Sequence, residues 1–136
     1  MKQGKRVKPK FLIEYRLLIV PKYKEREEKT VTLFALRTVT EFTSFRYDIV
    51  VETELAGRTL RLSIHGLRAP QVSIPGTGPA VFEAEFEKLR GTYAVVVSKL
   101  DREENKFSVQ ISGEKVTVKE SPGDTFVELV TNREEW

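Results

Sequence analysis

Apolar and polar residues alternate with a period of two along most of the chain. Over residues 11–20 the odd positions Phe11, Ile13, Tyr15, Leu17 and Ile19 are apolar, and Glu14 and Arg16 fall on the other face. This pattern predicts a half-buried strand, stopped by Pro21. Residues 22–30 read as a mixed-charge connection with room for only a short helix. Residues 31–39 are apolar on both faces (Leu33, Phe34, Leu36), as a central strand requires. No segment carries a sustained apolar stripe of period 3.6.

Three hairpins can be given a register from the sequence. In the first, 46–55 turns at Ala56-Gly57 into 58–65. Pairing Leu55 with Arg58 places Val51 opposite Leu62 and Ile49 opposite Ile64, all inward. The outward pairs become Glu52 with Arg61 and Asp48 with His65, opposite charges face to face. In the second, 92–100 turns at 101–105 and returns along 106–112, with Val97 against Val109 and Val95 against Ile111. In the third, Gly113-Glu114 is a two-residue turn with glycine first, which sets Ile111 against Val116 and Val109 against Val118. Residues 80–88 add a strand with Phe82, Ala84 and Phe86 inward and Glu83, Glu85 and Glu87 outward. Residues 125–131 give a last strand. The expectation is an all-β protein, an antiparallel β-sandwich of about eight strands, with an up-and-down β-barrel as the alternative.

The stretch around Leu89, Gly91 and Tyr93 resembles the corner leading into strand F of immunoglobulin-like and fibronectin type III-like sandwiches. That resemblance implies a tyrosine whose hydroxyl bonds back to the corner backbone while its ring enters the core. The chain departs from antibody-type domains in having no cysteine pair and a single tryptophan, Trp136.

Composition narrows the function. A chain of 136 residues, 40% hydrophobic and without cysteine, builds a core without disulfides or Cys-zinc sites. No apolar run approaches the roughly 18 residues that span a bilayer. The net charge of +3 is uneven. Residues 1–10 hold five basic residues and no acid, which leaves 18 basic against 20 acidic residues beyond them. The reading is a basic flexible tail, 1–10, followed by a single β domain, 11–136. No secretory signal is legible, so a cytoplasmic location is expected. Abundant Glu, Lys and Arg with few Asn and Gln lean toward a thermophile's usage.

Candidate chemistry is sparse. His65 has Asp48 and Ser63 as expected neighbours, but no nucleophile signature accompanies it, so it reads as a surface ion-pair histidine. Glu83, Glu85 and Glu87 lack the loop and carbonyl ligands of a calcium site. Phe42, Phe45 and Tyr47 read as core aromatics under a connection. No cofactor, metal or catalytic residue is expected. The expected function is a non-enzymatic interaction module with a protein partner, presenting loops or a sheet edge. Its contact surface is expected at the loop 66–79, with Arg61, His65 and Arg68 as polar anchors. Two other readings remain open. One is a β-barrel binding a small apolar ligand, and the other is nucleic-acid contact through the basic N-terminal tail.

Overall fold

A computed structural model of the chain describes residues 12–69, 75–100 and 103–136. The alternating segments become nine strands, with no helix among the described residues. They are β1 (Tyr15–Lys24), β2 (Lys29–Phe42), β3 (Asp48–Ala56), β4 (Thr59–Arg68), β5 (Gly78–Phe86), β6 (Gly91–Ser98), β7 (Glu104–Ile111), β8 (Val116–Glu120) and β9 (Val127–Val130). They join in one strongly curled half-barrel of order β9-β1-β2-β5-β3-β4-β6-β7-β8. β1 and β8, near opposite ends of that order, come into contact.

The fold is all-β as expected, but it is neither purely antiparallel nor up-and-down. β9 pairs with β1, β3 with β5, and β4 with β6 in parallel. β3 and β5 meet at the single pair Asp48–Val81, where the Val81 N–H donates to the Tyr47 carbonyl at 3.3 Å. The sheet thus has a four-stranded limb, β9-β1-β2-β5, and a five-stranded limb, β3-β4-β6-β7-β8.

The concave face carries the main core. Leu17, Ile19, Phe34, Leu36, Leu60, Leu62, Val95, Val97, Phe107 and Val109 are buried there. β2 is apolar on both faces because a second cluster covers its back. Leu18, Val20, Leu33, Ala35 and Val130 pack there with Trp136. The Trp136 indole N–H donates to the Arg16 carbonyl at 3.2 Å, and Arg37 Nη1 donates to the Trp136 carbonyl at 3.0 Å. Inside the curl, the buried Asn105 of β7 joins the two ends. Its Oδ1 accepts from the N–H groups of Phe126 and Val127 at 2.8 and 3.1 Å, and its Nδ2 donates to the Asp124 carbonyl at 3.4 Å.

Three sequence expectations change. β1 does not stop at Pro21 but runs on to Lys24. β9 covers β1 only along Tyr15–Leu18, so Pro21 sits on an open edge where a missing N–H costs little. In the first hairpin the register is two residues away from that expected, with Leu55 opposite Leu60 and Val51 opposite Ile64. A bulge between Val50 and Val51 makes His65 the extra residue. Asp48 therefore faces Arg68, not His65, and Ile49 faces Leu67, not Ile64. In the second hairpin Val97 pairs with Asn105 and Val95 with Phe107, four residues from the expected register. The third hairpin has the expected pairs, Ile111–Val116 and Val109–Val118. Residues 1–11, 70–74 and 101–102 are outside the described residues, and with them the basic tail, Phe11 and part of the 66–79 loop.

Candidate functional site

Strand register builds an open concavity. On the convex face of the five-stranded limb, Thr59 of β4 is opposite Ala94 of β6, Ala94 is opposite Ser108 of β7, and Ser108 is opposite Glu120 of β8. The first three are small, so the row forms the floor of a trough running across the strands. Arg58 and Thr92 line one side, Lys106 the other, and Ser121 and Pro122 lie beyond Glu120. The trough is open and about 810 Å³ in volume.

The corner that the sequence marked positions its arginine. Leu89 is buried, and the Tyr93 hydroxyl accepts from the Arg90 N–H at 3.3 Å. Gly91 has φ +99°, and a Cβ there would lie 3.0 Å from Arg58 Nη1. The backbone conformation calls for glycine, whereas the contact would ask only a small shift of the arginine tip. Arg58 stacks its guanidinium 4.8 Å from the Tyr93 ring centroid and donates from Nη1 to the Arg90 carbonyl. Lys106 also lines the trough, and its side chain makes no hydrogen bond or ion pair with any described residue. The trough thus offers the fixed guanidinium of Arg58, the Lys106 ammonium, the hydroxyls of Thr59, Thr92, Ser108 and Ser121, and one carboxylate, Glu120, at its far end. That donor set suits carboxylates.

The three residues expected as binding anchors do not converge. Arg61 lies on the convex face and reaches Glu104 at 3.5 Å. His65 Nε2 lies 3.4 Å from Glu52 Oε1 and borders a cleft of about 270 Å³ with Tyr15, Lys99 and Leu100. Arg68 meets Asp48 at 3.7 Å beyond the bulge. Lys99 beside that cleft is committed to structure. Its Nζ binds Glu14 at 2.8 Å and Glu103 at 3.1 Å and sits 4.6 Å from the Phe126 ring centroid. Burial pulls its pKa down, but the two carboxylates outweigh burial and push it up to about 12.

Phe42 and Tyr47 stack edge to face at 5.2 Å and pack against the main core, with Phe45 6.4 Å from Tyr47. Glu85 is held by Lys22 and Lys24, and Glu87 by Lys29. Among the described residues no group of three His, Cys, Asp or Glu side chains is placed to hold a metal ion. Among the described residues no helix is long and apolar enough to cross a membrane.

Sequence reasoning missed Arg58, Lys106, Ala94 and Ser108. Lys106, Ala94 and Ser108 sit in ordinary outward positions of their strands and Arg58 in a hairpin turn, and only the cross-strand register brings them to one concavity. No protein-family model, curated protein or solved structure matches the chain.

Proposed function

We propose that this chain is a non-enzymatic binding module that takes an acidic stretch of a partner protein into the convex-face trough. Arg58 and Lys106 anchor its carboxylates, and the hydroxyls along the floor and rim orient them. The observation that carries this reading is Lys106, whose side chain has no partner among the described residues, in one concavity with an arginine already fixed by Tyr93 and the Arg90 carbonyl. A fixed guanidinium loses little freedom on binding, which favours recognition over simple surface attraction. His65 supports a non-enzymatic reading, because its contact is a carboxylate and not a nucleophile. The Leu89–Gly91–Tyr93 corner supports kinship with immunoglobulin-like sandwiches, in which rigid sheets commonly serve recognition.

The test is an NMR titration of the labelled protein with a glutamate-rich peptide at low salt. Shifts should concentrate at the amides of Thr59, Ala94 and Ser108, and Lys106→Glu should weaken binding about tenfold or more. Shifts scattered over the surface, or affinity unchanged in Lys106→Glu, would remove the trough as the binding site.

A further inference from the structure

The split between the two limbs leaves strand edges open. Past Asp48–Val81, no described strand pairs with the second edge of β3 from Ile49 to Ala56. The facing edge of β5 from Phe82 to Phe86 is equally unpaired. The Tyr47 carbonyl points across this gap to the Val81 N–H. By the two-residue period of a strand, Ile49, Val51, Thr53 and Leu55 aim their N–H and C=O groups the same way.

Both lips of the gap share one chemistry. On β3, Glu52 and Glu54 are exposed on the convex side, while Val51 and Leu55 belong to the concave side. Leu55 is 44% exposed there. On β5, Glu83 and Glu85 are exposed on the convex side, while Phe82 and Phe86 pack against the core. Glu54 and Glu83 make no ion pair with any described residue, and Glu52 has only His65. Pairing β3 with the same strand of a second copy sets like carboxylates side by side, which discourages self-association. An incoming strand that satisfies the edge must carry cations on one face and apolar side chains on the other.

We infer that the open edge of β3 takes up an extended basic segment of a partner protein as an added strand. Its Lys or Arg residues lie beside Glu52 and Glu54, and its alternate apolar side chains lie beside Val51 and Leu55. Main-chain hydrogen bonds supply the affinity and the two faces supply the selectivity. This edge is separate from the trough, and its occupant has the opposite charge.

The test titrates labelled protein with an alternating Lys-Val heptapeptide. The expected result is amide shifts at Val51, Thr53 and Leu55 that leave Ala94 and Ser108 unmoved. Binding should weaken about tenfold or more when alternate peptide nitrogens are methylated, because the edge bonds are lost. It should fall similarly when glutamate replaces lysine in the peptide, or in the doubly substituted protein Glu52→Lys, Glu54→Lys. If that protein fails to fold, the peptide series decides alone. No shift at millimolar peptide overturns the inference. So does affinity indifferent to methylation, which marks a purely electrostatic contact. A wild-type dimer by light scattering, with β3 amides protected in it, assigns the edge to a second copy and overturns it too.

Discussion

Asn105 is 5% exposed, and its side chain serves main-chain groups on a segment about twenty residues further along. Replacing it with alanine leaves the N–H groups of Phe126 and Val127 buried without an acceptor. Each such group costs about 1–3 kcal/mol, so Asn105→Ala should lose about 2–4 kcal/mol in urea unfolding. A loss within about 0.5 kcal/mol of zero, the range of ordinary surface changes, would mean that water replaces the side chain. The sequence shows a polar stretch here that reads as a hairpin tip. The role of Asn105 depends on a partner that arrives only when the sheet curls, so nothing local marks it. Tyr93 is the opposite case. Its hydroxyl bonds to the N–H of Arg90, three residues before it, so residue type and spacing alone were enough to suggest a corner.

At the scale of strands and hairpins, the period-two pattern fixes which face a side chain takes but not which residue lies opposite it. A slip by two or four residues keeps every apolar residue inward, and those are the slips seen in the first and second hairpins. The third hairpin was legible because its two-residue turn leaves no freedom. Glu83 and Glu85 of β5 fell outward as the alternation requires, and the two partners of Glu85 come from β1. Hydrogen bonds from Lys24 and Lys22 hold the Glu85 carboxyl at about 2, below its ordinary 4.5. A group lowered in the folded state stabilises the fold above its unfolded pKa. That contribution is lost as pH falls from about 4.5 toward about 2. Urea unfolding at pH 5 and pH 3 in low salt should therefore show a smaller acid loss for Glu85→Gln than for wild type. Added salt should shrink the difference. Equal acid losses in the two proteins would show that these pairs contribute nothing.

For the molecule as a whole, three parallel pairings join strands that are not sequence neighbours. Such contacts leave no local trace, which is why a sandwich or simple barrel was the natural expectation and the mixed order was not. The trough was hidden for the same reason. Trp136 gives a handle on whether the two limbs act as one body. It is the sole tryptophan and covers the back of β1 and β2. Trp136→Ala should destabilise the protein by about 1–3 kcal/mol, less than a full core truncation because the ring is partly exposed. In wild type, its fluorescence should follow the same urea transition as circular dichroism. Separate midpoints would mean that the limbs melt independently.

The pairing of β9 with β1 brings Val127 beside Tyr15. During synthesis this edge of β1 therefore stays uncovered until residues 127–130, more than a hundred positions further along, have emerged from the ribosome. Nascent copies on a crowded message then present the same bare ladder to one another. Slow translation of the codons between β8 and β9 should lengthen that exposure and raise the fraction lost to inclusion bodies.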